Sequence, residues 1–158
     1  MIHQKIKTFL WYDNKAEEAA EFYCSLFPDS RIISVSRFPE GSPAPAGTAM
    51  TVEFELAGIR FVALNGGPVF HFTEAISLTV DCEDQQEVDR LWDKLTDGGT
   101  PSHCGWLKDR YGLSWQIIPG ILPRLLSNSD AAVAQRVMSA MLQMAKIDIA
   151  TLQQAANG

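Results

Sequence analysis

One plan occurs twice along this chain. Residues 5–12 read as a strand, and residues 16–27 as a helix whose apolar stripe is Ala19, Phe22, Tyr23 and Leu26. Residues 76–80 again read as a strand, and residues 85–95 as a helix with the stripe Val88, Leu91, Trp92 and Leu95. Both stripes have the i, i+3, i+4, i+7 spacing that lines one face of a helix. The offset is about seventy residues, a period that implies duplicated structural units rather than a solenoid. The alternative is a ferredoxin-like α+β domain whose two helices match by chance.

The sheet-forming remainder of each copy supports duplication. In the first, residues 31–38 are rich in Ile and Val, and residues 39–47 hold three prolines and two glycines, which suits an exposed loop. Met50, Val52, Phe54 and Leu56 alternate onto one face, and Gly58 turns the chain into a hairpin partner at 59–64. In the second, short strands are expected at 104–108 and 113–118, joined through Asp109-Arg110-Tyr111-Gly112, with one more short strand before Cys104. Asp13 or Asn14 is expected to cap the first helix, and Asp81 to act as a turn or cap before the second. Beyond Pro119 the chain is irregular to Ser129-Asp130, where a helix begins with Val133, Val137, Ala140, Met141 and Met144 on one face. Asp148 can cap a last short helix. This tail would pack on its own sheet or on a partner subunit, and its Met-bearing stripe reads first as packing.

The resulting expectation is an α+β protein of two βαβββ modules with a C-terminal helical tail. The divisions are residues 1–67, 68–120 and 121–158, together one compact unit. A chain of 158 residues with 46% hydrophobic residues can bury a core without disulfides. The net charge of -6 disfavours a nucleic-acid partner. Cys24, Cys82 and Cys104 have no metal-finger or CxxC spacing, and with no apolar leader they read as reduced thiols of a cytoplasmic protein. No run reaches the roughly eighteen apolar residues of a membrane span.

Several blocks resemble a known family. They are residues 14–23 (NKAEEAAEFY), Leu64-Asn65-Gly66-Gly67-Pro68, residues 72–77 (FTEAIS) and, most specifically, residues 104–117 (CGWLKDRYGLSWQI). Together they are similar to the PhnB-like branch of the vicinal-oxygen-chelate (glyoxalase/bleomycin-resistance) superfamily, often labelled 3-demethylubiquinone-9 3-methyltransferase-like. The resemblance extends over nearly the whole chain, including the C-terminal Ala/Met helix. It implies paired βαβββ modules around a shared cleft, homodimerisation, and, in catalytic members, one divalent ion held by His, Glu or Gln. The corresponding positions here are near Ile6, Ala63 and Ala75, and on Gln116. Three of the four lack a donor atom, and a register slip would bring in only Lys5, Lys7 or Glu74. A lone amide oxygen does not hold a dication against water, so neither a metal nor another cofactor is expected.

Candidate chemistry is correspondingly thin. Glu74 reads as a general base if burial raises its pKa, or as a solvated carboxylate at a strand entrance. Cys104 beside His103 invites a nucleophile, but adjacent strand residues point to opposite faces, so an inert Cys104 is the alternative. Trp11, Phe72, Trp106 and Trp115 read as an aromatic ligand wall or as core, with Ser77 and Gln116 as polar contacts. His71 reads as packing or exposed, Asn65 as turn-stabilising, and Asp109 and Arg110 as hairpin-loop residues, exposed or in an ion pair. The expected function is metal-free binding of a small molecule. The alternative is an enzyme acting in the same cleft, including the methyltransferase of the family label. The first strand-to-helix turn, Tyr12-Asp13-Asn14-Lys15, lacks the glycines of a Rossmann-type cofactor site.

Overall fold

The computed structural model describes residues 3–158 and divides the chain into two compact units, the first ending at His71 and the second running from Phe72 to Gly158. In the first unit the elements are β1 (Thr8–Tyr12), α1 (Ala16–Cys24), β2 (Arg31–Arg37), β3 (Ala49–Leu56) and β4 (Ile59–Asn65). Its sheet has the order β1-β4-β3-β2, with β1 parallel to β4 and the other pairs antiparallel.

The second unit repeats this with β5 (Ser77–Cys82), α2 (Gln85–Thr96), β6 (Thr100–Pro101), β7 (Trp106–Lys108) and β8 (Ser114–Pro119). The order is β5-β8-β7-β6, and β5 is parallel to β8. A ferredoxin-like domain would place both helices on one four-stranded sheet; two sheets of identical topology settle the question for duplication. No described helix is long and apolar enough to cross a membrane.

Each helix buries its stripe on its own sheet. Val88, Leu91, Trp92 and Leu95 of α2 are all buried, as expected. In α1 the buried set is Ala16, Ala19, Ala20 and Tyr23, because the helix ends at Cys24; Leu26 is buried just beyond it and Phe22 is half-buried. The facing strands contribute Leu10, Tyr12, Val52, Phe54, Phe61 and Ala63. Tyr12 and Tyr23 meet through their hydroxyls at 3.2 Å.

The caps differ from expectation. Neither Asp13 nor Asn14 caps α1. The side chain of Asn65, at the end of β4, accepts the N–H of Ala16 at 2.8 Å and donates to the carbonyl of Ala49 at 2.9 Å. One amide thus joins the helix start to the beginning of β3. Before α2 the cap is Asp84 rather than Asp81, accepting the N–H of Glu87 at 2.9 Å.

Three further differences concern the second unit. Cys104 lies in the turn before β7 with φ 58°, not in a strand. The segment after Pro119 holds an additional helix, α3 (Ile121–Leu126). Its Pro123 occupies the first turn, where a missing N–H costs nothing. Finally, the tail is not a separate extension but packs within the second unit. With α3, helices α4 (Ala131–Met141) and α5 (Ile149–Asn157) close around Leu122, Val137, Ile147 and Leu152.

Asp130 and Asp148 cap α4 and α5 as expected. Gln85 fastens the tail to α2, donating to Ile147 O at 3.0 Å and accepting from Ile149 N at 2.8 Å. The N–H groups of Cys104 and Gly105 reach the carbonyls of Met144 and Ala145 at 2.9 and 2.8 Å. The three thiols are free, and burial pushes that of Cys82 up to about 12, which keeps it protonated and inert.

Asn65→Ala should lower the urea-unfolding free energy by about 1–2 kcal/mol, the worth of a helix cap plus a second hydrogen bond. Asn65→Asp, which keeps the acceptor, should recover part of the loss. Unchanged stability in the alanine variant would remove this role.

Candidate functional site

The face of the second sheet turned away from α2 gathers most of the expected polar residues. Leu107, Trp115 and Ile117 are buried on the helix side, so alternation places Trp106, Lys108, Ser114 and Gln116 on the other. Ser77 is paired with Ser114, Thr79 with Gln116, Trp106 with Gln116 and Lys108 with Ser114. The amide nitrogen of Gln116 donates to Ser77 Oγ at 2.9 Å, which fixes the amide's orientation. Trp106 stands beside it, half-buried. Lys108 forms an ion pair with Glu74. Ser114 is 1% exposed, and its hydroxyl has no hydrogen-bond partner among the described residues.

Two expected site residues have other roles here. Trp115 is 2% exposed and packs in the core under α2, so it does not form a ligand wall. Its indole N–H donates to Asp109 Oδ2 at 2.9 Å. Asp109, expected in an exposed loop, is 3% exposed. Its Oδ1 also accepts the N–H groups of Tyr111 and Leu113 at 2.8 and 3.1 Å. The aspartate is buried because the turn folds its carboxylate inward onto donors that would otherwise be unsatisfied.

Glu74 and Cys104 are poorly suited to catalysis. Glu74 is exposed rather than buried, and its hydrogen bond from Lys108 holds the carboxyl below the usual carboxylate range. That is the reverse of what a general base working near neutral pH requires. Cys104 Sγ is 3.5 Å from the carbonyl oxygen of Met141, so the thiol has a backbone acceptor. Phe72 is half-buried at the start of the unit, and His71 is exposed.

The first unit carries a different arrangement. Trp11 is half-buried and donates from Nε1 to Gly67 O at 2.9 Å. Its ring meets Phe70 edge-on, with centroids 4.9 Å apart. A Cβ on Gly66 would collide with the indole, and Gly67 has φ 89°. The Asn65-Gly66-Gly67 segment is therefore both a helix cap and a seat for Trp11. Phe9, two residues before Trp11, is 61% exposed, as is Phe70. Lys7 and Arg60 both contact Glu53, at 2.9 and 3.5 Å.

The comparisons with known proteins agree with this architecture. The family described as 3-demethylubiquinone-9 3-methyltransferase matches residues 4–118. The PhnB protein of Bacillus cereus shares 41% identity over 73% of this chain and 99% of its own, with a TM-score of 0.69. The chain belongs to this PhnB-like family, within the vicinal-oxygen-chelate superfamily.

A Pseudomonas aeruginosa protein is 19% identical over 74% of this chain and 98% of its own, at a TM-score of 0.61. The fosfomycin resistance protein FosX of Listeria monocytogenes is 14% identical over 76% of this chain and 95% of its own, at 0.51. Those two show the fold alone. A search of curated proteins gives no match. The PhnB-like match ends at residue 118, so it does not extend to the C-terminal helices, contrary to expectation.

One FosX structure holds Mn(II) and sulfate, and the PhnB-like residues here can be tested against such an ion. Ile6 and Ala75 are exposed and carry no donor. Ala63 is fully buried on the α1 side; its neighbours Val62 and Leu64, which take the other face, are apolar as well. Gln116 offers one amide oxygen, the single donor atom among these four positions. Among the described residues no three His, Cys, Asp or Glu side chains gather as a ligand set. These donors do not fit a divalent ion.

Sequence reasoning missed Lys108 and Ser114. The parity of Trp115 and Gln116 would have placed Ser114 and Lys108 on the site face, had Trp115 been read as core.

Asp109→Ala should destabilise the protein by about 3 kcal/mol or more in denaturant unfolding, because it strands three donors. Trp115→Phe, which strands one carboxylate oxygen and empties part of the ring's volume, should cost less, about 2 kcal/mol. Equal and small effects would contradict the hub.

Proposed function

We propose that this protein binds a small organic molecule on the open face of its second sheet, around Gln116, without the help of a divalent metal. The observation that carries this is the Gln116–Ser77 hydrogen bond at 2.9 Å with Trp106 alongside: an oriented amide and hydroxyl next to an aromatic surface. Such a combination supplies polar contacts for orientation and apolar area for affinity. The same residues offer no nucleophile–base pair and no raised carboxyl, so binding is favoured over catalysis. Homodimerisation, a cytoplasmic location and indifference to nucleic acid complete the proposal, supported by the family resemblance, the free thiols and the net charge of -6.

An enzyme using this face is the second possibility, and the family's description names a methyltransferase. The turn between β1 and α1 has no glycine and the sheets are mixed rather than doubly wound, so a Rossmann-type nucleoside site is not formed.

Tryptophan fluorescence titration across a panel of metabolites, antibiotics and S-adenosylmethionine, with and without EDTA, tests the proposal. At least one non-nucleoside compound should quench saturably, be unaffected by EDTA, be recovered unchanged, and bind about tenfold more weakly to Gln116→Ala. EDTA-sensitive binding, turnover, or saturation by S-adenosylmethionine alone would overturn it.

A further inference from the structure

The polar row already has a carboxylate parked on it. Lys108, Ser114 and Ser77 are neighbours across the adjacent strands β7, β8 and β5. Glu74 lies three residues before Ser77, on the far side of β8 from Lys108, yet the two form an ion pair. Ser114 stands between them in the sheet, paired with Lys108 on one side and with Ser77 on the other.

The Ser114 hydroxyl is buried with no hydrogen-bond partner among the described residues. A surface ion pair by itself contributes little and signifies little. What distinguishes this one is the unsatisfied hydroxyl on the neighbouring strand, a feature folded proteins rarely retain unless a ligand or water completes it.

The row is rich in donors. Lys108 offers an ammonium, Ser114 and Ser77 offer hydroxyl hydrogens, and Gln116 has a second amide hydrogen besides the one given to Ser77. One positive charge and several neutral donors match a monoanion with two acceptor oxygens. Glu74, with 61% of its side chain exposed, is a replaceable stand-in for such a group.

We infer that the Lys108–Ser114–Ser77 row binds the carboxylate of a small organic acid, which displaces Glu74 from Lys108 and accepts the hydrogen of the Ser114 hydroxyl. This rests on the proposed binding role of the second sheet and narrows its ligand to carboxylates. Glu74 then acts as an internal competitor, which gives the inference a signed consequence: removing its charge strengthens binding.

The test is a two-dimensional NMR titration of the full chain at low salt with sodium benzoate, sodium acetate and benzamide, following Ser77, Ser114 and the Gln116 side-chain amide. Benzoate should shift these signals, and Glu74→Gln should tighten it roughly two- to fivefold, the factor an exposed ion pair is worth. Lys108→Met and Ser114→Ala should each weaken it, and benzamide should not compete.

Benzoate affinity that is unchanged or lower in Glu74→Gln would overturn the inference, as would benzamide binding equally well. So would the absence of any shift with Glu74→Gln protein and either acid at about 50 mM, a level that detects even feeble complexes. If benzamide alone shifts Gln116, the binding face stands and only its carboxylate preference fails. If no compound here or in the fluorescence panel depends on Gln116, the binding role itself fails.

Discussion

The Asp109 carboxylate is buried in the turn between β7 and β8, where it accepts the N–H groups of Tyr111, Leu113 and the Trp115 indole. Two backbone bonds close the same turn, Asp109 N–H to Leu113 O and Gly112 N–H to Asp109 O. A slip of one residue in this hairpin would move every β8 side chain to the other face. Trp115 would leave the core, and Gln116 and Ser114 would enter it. The polar row of the second sheet thus depends on a carboxylate buried in the turn beside it. It also gives a physical meaning to the most specific stretch of the sequence, in which Asp109 and Trp115 are structural partners and Lys108, Ser114 and Gln116 are what their pairing presents.

Duplication has supplied the same scaffold twice with different surfaces. The face of the first sheet opposite α1 carries Phe9, Trp11, Val62 and Leu64 near a Lys7–Glu53–Arg60 ion-pair cluster. The face of the second sheet opposite α2 carries hydroxyls, an amide and the Lys108–Glu74 pair. Topology and helix packing are kept in both because the buried stripes of α1 and α2 demand them; the opposite faces are released from that demand.

The βαβββ plan was legible because it rests on periodicity: two stripes of identical spacing, an alternating β3, and glycine turns where hairpins close. Ser77, Trp106 and Gln116 were legible by resemblance, and the structure brings those three together. Trp115 and Asp109 were misread for a common reason. Composition around Asp109-Arg110-Tyr111-Gly112 looks like an exposed turn, and only the tertiary fold turns one carboxylate inward onto an indole. Glu74 likewise has no local mark of its partner, because Lys108 is thirty-four positions away in sequence. The cap supplied by Asn65 is also long-range, reaching forty-nine positions back to Ala16. Helix α3 went unseen because Pro123 reads as a breaker unless it is known to fall in a first turn.

The central claim is that hydrogen-bond donors, rather than a coordinated dication, are the working groups of this protein. Crystals grown with about 1 mM manganese chloride, with data collected at the manganese absorption edge, examine it directly, since Mn(II) suits carboxylate, amide and imidazole donors alike. The account predicts no anomalous peak within bonding distance of the Gln116 amide oxygen. An ion there, anchored by three or more side chains, would contradict it.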